Sequence, residues 1–123
     1  MLFPISLAQW SLHRTLRSGQ LDALDFPVTA RRDYGLEGTE YVNTFMMRDA
    51  PNDTRPRDDA WRGQLRQRCL DHGVTSVLVM CDGLGMLGHE DEGKRRSAVD
   101  RHKPWVEFAA ALGCTAIRVN AAS

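Results

Sequence analysis

The sequence has little cysteine, no long apolar run and no excess of either charge. Its three cysteines, Cys69, Cys81 and Cys114, are too few and too scattered for a disulfide framework or a zinc cluster. We therefore expect all three to be small, buried apolar side chains. No apolar run approaches the roughly 20 residues that cross a bilayer, so we expect no membrane partner.

Charge and the first residues exclude further classes of protein. Sixteen basic residues balance sixteen acidic ones, so no overall field attracts nucleic acid, and we expect no nucleic-acid partner. Residues 1–4 do not lead into a secretory signal, which favours a cytoplasmic protein unless a leader was removed or never included. A length of 123 residues suits one modest domain.

The sequence does contain short apolar strands that alternate with amphipathic helices. Strands are predicted at Ile5–Trp10, Gly38–Val42, Ser76–Met80 and Ala116–Asn120. The resulting order, β-α-β-α-β-α-β, predicts a parallel sheet with helices on its faces. Because nothing is packed after the last strand, we expect the chain to be the front half of a larger enzyme.

Three helices separate the predicted strands, and each ends at a glycine: Gly35, Gly73 and Gly113. The first begins with Asp25 as its cap and a proline in its first turn. Pro104 lies inside the third helix and should kink or divide it. Apolar faces are predicted in the second helix at Trp61, Leu65 and Cys69, and in the third at Ala98, His102, Trp105, Ala109 and Leu112.

Three segments of the chain resemble one known family. Residues 34–43 (YGLEGTEYVN) are similar to the second strand of sugar phosphate isomerase/epimerase proteins, which belong to the xylose isomerase-like TIM-barrel superfamily that includes AP endonuclease family 2. Residues 95–105 resemble the third helix of that group, and residues 112–120 resemble its fourth strand. The resemblance implies an α/β fold in which residues 1–123 form the N-terminal half of a (β/α)8 TIM barrel, with about four βα units and parallel strands in order 1-2-3-4.

The resemblance also implies a reaction. Family members bind a divalent metal (Mn, Mg, Co or Zn) through Glu, Asp, His and Glu side chains, and they move a proton next to a carbonyl through an enediolate. Those ligands lie on later strands of the barrel, so we assign no catalytic and no metal-binding residue to this chain. The chain is expected to be an inactive fragment of a sugar or sugar-phosphate isomerase or epimerase, or of a related dehydratase of inosose type.

Five polar residues are candidates for contact with a sugar or sugar phosphate, because they lie on predicted interior strand faces or follow strand ends. Arg118 and Asn120 alternate with apolar residues on the fourth strand. Arg118 either contacts substrate or pairs with Glu40, which itself is expected to have an interior hydrogen-bonding role. His13 follows the first strand and is either a substrate contact or a solvated surface group. Asp82 follows the third strand and either binds substrate hydroxyls or shapes a turn.

Other functions remain open. Residues 83–88 (GLGMLG) match the glycine pattern of a dinucleotide-binding turn. Acidic residues follow the motif and two strand–helix units precede it, which argues against a nucleotide site. The alternatives are a complete small doubly wound domain that binds a nucleotide or a protein partner, and a half barrel that self-associates through its open edges. The doubly wound alternative requires the first strand to lie inside the sheet.

Overall fold

The computed structural model describes residues 3–122, and its centre is a four-stranded parallel sheet with the order β1-β2-β3-β4. The strands are β1 (Ser6–Ala8), β2 (Gly38–Val42), β3 (Thr75–Met80) and β4 (Ala116–Arg118). The helices are α1 (His13–Arg17), α2 (Phe26–Tyr34), α3 (Asp59–His72) and α4 (Glu92–Leu112). Short 3-10 segments occupy Gln9–Leu12, Ala23–Asp25 and Asn43–Phe45.

The sequential strand order confirms the predicted half of a (β/α)8 barrel. A doubly wound domain would place β1 between two other strands, whereas β1 pairs with β2 alone among the described residues. The strand order therefore contradicts the alternative of a complete doubly wound domain. No helix within residues 3–122 has the length and apolar character needed to cross a membrane.

The first strand is shorter than the predicted Ile5–Trp10. After Ala8, the side chain of Gln9 replaces the backbone as the hydrogen-bond partner of β2. Oε1 of the buried Gln9 accepts a hydrogen bond from the Val42 N–H at 2.7 Å. The backbone after Ala8 is then free to turn into a 3-10 segment. The predicted bounds of β2 are confirmed, and β4 ends at Arg118, so Asn120 lies just beyond it.

Local capping accounts for most helix boundaries. Gly35, Gly73 and Gly113 end α2, α3 and α4 in the left-handed conformation, as predicted. The predicted role of Asp25 as a side-chain cap is wrong. Its Oδ1 instead accepts from Nε of Arg68 on α3 at 3.1 Å, so the carboxylate joins two helices rather than starting one.

Pro104 does not divide the third predicted helix, because α4 is one element from Glu92 to Leu112. Proline removes one hydrogen bond and crowds the carbonyl four residues earlier. The side chains of Trp105 and Phe108, which follow it, are 0% and 1% exposed in the core. Burial of two large aromatic side chains is worth several kcal/mol, on the order of 2 each, and offsets the loss.

The core lies between the sheet and the helices. Both predicted apolar helix faces are buried, and Phe108, which was not predicted, joins them. Tyr41 on β2 lies at the centre, where its hydroxyl is bonded to the Thr39 and Ser76 hydroxyls at 2.8 and 2.9 Å. Its neighbour Cys69 belongs to α3, so this face of the sheet is the helix-covered one. Burial raises the pKa of Tyr41 above its usual value.

The opposite face of the sheet is open. At the amino ends of the strands it carries a cavity of about 640 Å³, lined in part by Ser6, Gly38 and Val77. In a complete (β/α)8 barrel this face is the interior, and side chains from the opposite strands fill it. The amino-terminal cavity is therefore distinct from the carboxyl-terminal edge, where ligands bind in such folds.

Candidate functional site

Three of the five candidate residues meet at the carboxyl-terminal edge of β3 and β4. Nη1 of Arg118 lies 3.1 Å from Oδ1 of Asp82, and Nδ2 of Asn120 donates to the same oxygen at 2.9 Å. Nη1 of Arg118 also donates to Oδ1 of Asn120. The side chains of Asp82 and Arg118 are each 40% exposed, so this polar cluster remains accessible at the rim.

A fourth residue, Asn43, holds the polar cluster in position. It is fully buried at the end of β2, and its side chain makes two hydrogen bonds to the backbone of Asp82. Nδ2 donates to the Asp82 carbonyl at 2.9 Å, and Oδ1 accepts from the Asp82 N–H at 2.9 Å. We infer that this double contact fixes where the Asp82 carboxylate points. Asn43 was not predicted as a site residue. Its position directly after the interior strand β2 is the sequence feature that could have indicated this role.

Glu40 does not pair with Arg118, so the structural partnership considered for these two residues is wrong. One oxygen of Glu40 accepts a hydrogen bond from the Ser6 hydroxyl at 2.6 Å. Arg118 pairs with Asp82 instead. Glu40 thus has the interior hydrogen-bonding partner that was expected of it, on the open face between β1 and β2.

His13 lies apart from the polar cluster. It is half-buried at the start of α1, next to the edge strand β1. Since β1 and β4 are separated by three strand spacings, roughly 14 Å lie between the two edges along the sheet. The structure therefore brings Asp82, Arg118 and Asn120 together and leaves His13 and Glu40 in separate environments.

The environment of His13 fixes its tautomer. Its ring stacks on Trp10 with centroids 4.3 Å apart, and its Nδ1 lies 2.7 Å from the Trp10 carbonyl oxygen. A carbonyl can only accept, so Nδ1 carries the proton and Nε2 of the neutral ring is the acceptor. The guanidinium of Arg17 lies 5.0 Å from the Trp10 ring centroid. His13 is thus part of an aromatic and cationic cluster with Trp10 and Arg17.

The glycine-rich loop is packed against α4. Gly85 has φ +95°, and a Cβ there would lie 3.1 Å from Cβ of Ala98, so the close approach requires glycine. The start of α4 is already occupied, because Oδ2 of Asp91 accepts from the Lys94 N–H at 2.9 Å. A pyrophosphate would have to displace that carboxylate. The close packing of Gly85 and the capped start of α4 therefore disfavour a dinucleotide site in this loop.

The cysteines are unlinked, and two of them are buried as expected. Cys69 and Cys81 are buried, whereas Cys114 packs against the core but is only half-buried, so the prediction of burial is met in part for Cys114. Burial raises the pKa of the Cys81 and Cys114 thiols to about 11. High thiol pKa values leave little thiolate at neutral pH, so neither residue is suited to nucleophilic chemistry.

The residues that the structure describes do not fit the divalent metal expected for the family. Within residues 3–122, no three His, Cys, Asp or Glu side chains lie close enough together to hold an ion. In the polar cluster, Asp82 is the single carboxylate, and its Oδ1 is already bonded to Arg118 and Asn120.

The fold and the edge geometry define half of a parallel β/α barrel with an accessible polar rim. A family model for the xylose isomerase-like TIM barrel matches residues 28–123. The chain belongs to this family, and the match indicates a fold of the sugar-phosphate isomerase/epimerase type. A comparison with curated proteins gives no match.

Proposed function

We propose that this chain provides one wall of the substrate site of a sugar or sugar-phosphate isomerase or epimerase. In that enzyme a proton moves next to a carbonyl through an enediolate. The observation that carries the proposal is the polar cluster of Asp82, Arg118 and Asn120, which lies at the carboxyl-terminal edge of a barrel of this family. The expected divalent metal and its ligands belong to strands beyond those described, and a cytoplasmic location stays a prediction.

The residues of this chain bind and orient the substrate in the proposed enzyme. Arg118 and Asn120 present N–H donors, and the Asp82 carboxylate presents an acceptor. Glu40 is engaged by Ser6 in the interior. His13 offers its Nε2 acceptor from the edge of β1. Proton transfer is assigned to groups outside residues 1–123, so the chain alone is expected to be inactive.

Nuclear magnetic resonance of the labelled chain tests the proposed sugar contact. Addition of D-xylulose or D-xylulose 5-phosphate should shift the side-chain amide signals of Asn120, with weak affinity because only one wall is present. Arg118→Met keeps the side-chain length but removes the donors, and it should abolish the shifts. Arg55→Met, whose arginine pairs with Asp53 in a separate loop, is the matched control.

Two outcomes contradict this proposed function. The substrate contact is refuted if neither probe moves the Asn120 signals. The assignment of proton transfer to groups outside residues 1–123 is refuted if the chain with added Mn²⁺ exchanges the sugar C–H proton with solvent deuterium. In that case the proton-transfer groups would lie in this chain.

A second proposal concerns assembly: the isolated chain pairs with a second copy of itself. Among residues 3–122, β1 and β4 each have one unpaired edge, and each strand is three residues long. Ile5 and Val119, which flank these strands, are 56% and 42% exposed. Pairing β4 of each copy with β1 of the other gives eight parallel strands about a two-fold axis and covers the open face.

Sedimentation analysis tests this assembly. The wild-type chain should sediment as a dimer or larger species, and Val119→Lys should weaken the association because a charged side chain disfavours strand pairing. Leu70→Lys is the matched control, since Leu70 is 65% exposed on α3 and away from both edges. A wild-type monomer at all concentrations would contradict the assembly.

A further inference from the structure

The polar cluster presents both donors and an acceptor to the open rim. Nη1 of Arg118 is used by Asp82 and Asn120, and no group within residues 3–122 engages its Nε or Nη2. Arg118 and Asn120 both donate to Oδ1 of Asp82. The other carboxylate oxygen, Oδ2, therefore remains available as an acceptor. A ligand that satisfies this cluster must therefore accept hydrogen bonds from Arg118 and donate one to Asp82.

The charge of the cluster is balanced. The guanidinium of Arg118 and the carboxylate of Asp82 are 3.1 Å apart, and the third member, Asn120, and the supporting Asn43 are neutral. Glu40, which lies two strands from β4 and two residues below the level of Arg118, is a second acidic residue of the sheet. An incoming anion would meet one cation that is already paired, together with a carboxylate that repels it.

We propose that Asp82 makes this cluster selective for an uncharged, hydroxyl-bearing part of the substrate and against a phosphate group. A sugar hydroxyl both donates and accepts, so it can bridge Oδ2 of Asp82 and the remaining donors of Arg118. A phosphate dianion only accepts, and it leaves Oδ2 unsatisfied and close to a like charge. The inference rests on the proposed function, because it presumes that the cluster contacts a sugar.

Asp82→Asn is the variant that tests this selectivity. The change keeps the shape of the side chain and preserves the two backbone contacts with Asn43, but it leaves Arg118 without its counter-charge. The wild-type chain should bind D-xylulose at this rim, and inorganic phosphate roughly tenfold more weakly or not at all. In Asp82→Asn, phosphate affinity should rise about tenfold, whereas D-xylulose affinity should fall.

The control is Asp53→Asn, which removes the partner of Arg55 in a loop away from the rim. It should change neither affinity when binding is followed through the Asn120 amide signals. Phosphate binding by the wild-type rim as strong as that of D-xylulose overturns the selectivity while the proposed function stands. A lack of binding by both D-xylulose and its phosphate ester overturns both.

Discussion

Replacement of Asn43 by alanine should destabilise the chain by about 2–4 kcal/mol. The variant loses two hydrogen bonds of 2.9 Å to the Asp82 backbone, each worth about 1 kcal/mol net. The Asp82 N–H and carbonyl then lack their partner, although water can reach them in part because the Asp82 side chain is 40% exposed. Asn43 itself is fully buried, so the truncation leaves a small cavity that adds on the order of 1 kcal/mol.

Urea unfolding at a fixed protein concentration measures this loss as a lower midpoint with an unchanged slope. The control is Asn120→Ala, which truncates the same type of side chain. Its hydrogen bonds to Asp82 and Arg118 are exposed and can be replaced by water, so this change should cost less than about 1 kcal/mol. If Asn43→Ala costs no more than that control, the double contact does not hold the end of β2 to the end of β3. Asn43 would then not be what positions the Asp82 carboxylate in the polar cluster.

Two further predictions concern pH and the helix proline. Burial raises the thiol pKa of Cys81 and Cys114 from 9.0 to about 11, so their contribution to stability is complete below pH 9 and is lost as the pH rises towards 11. Urea unfolding under reducing conditions at pH 8–11 should show this decline. Pro104→Ala restores the backbone N–H to the interior of α4 and should stabilise the chain by about 1–2 kcal/mol in the same assay.

Each of these predictions has a result that contradicts it. Stability that stays constant from pH 8 to 11 would mean that the thiols are not effectively buried, and a Cys81→Ala/Cys114→Ala variant shows how much of any slope they cause. A Pro104→Ala variant that is no more stable than the wild type would mean that the ring makes contacts as valuable as the missing hydrogen bond.

Most of the fold could be predicted because its signals are local. Three helices end in a left-handed backbone conformation that favours glycine, so the glycines mark these ends in the sequence. Alternation of strands with helices then restricts the sheet to parallel pairing. These patterns depend on neighbours within a few residues, so the sequence alone contains them.

Features that depend on distant partners could not be predicted. Asp25 precedes a proline in a typical capping position, yet it pairs with Arg68, 43 residues away. Pro104 is a helix breaker by intrinsic propensity, yet α4 continues because Trp105, Phe108 and Ala109 after it are buried in the core. In both cases tertiary contacts outweigh a local preference of about 1–3 kcal/mol.

The partner of Arg118 also depends on distant parts of the chain. Glu40 pairs in register with Leu78, and Leu78 pairs with Ala116, so Glu40 lies two residues below Arg118 in the strand direction. The offset is about 6.6 Å along the strands and two strand spacings, about 9.6 Å, across them. Asp82 instead lies two residues after Met80, which is the register partner of Arg118, so it is one strand spacing away and about 6.6 Å further along the strands. The partner of Arg118 is thus set by the register of the sheet, which the alternation of polar and apolar residues does not specify.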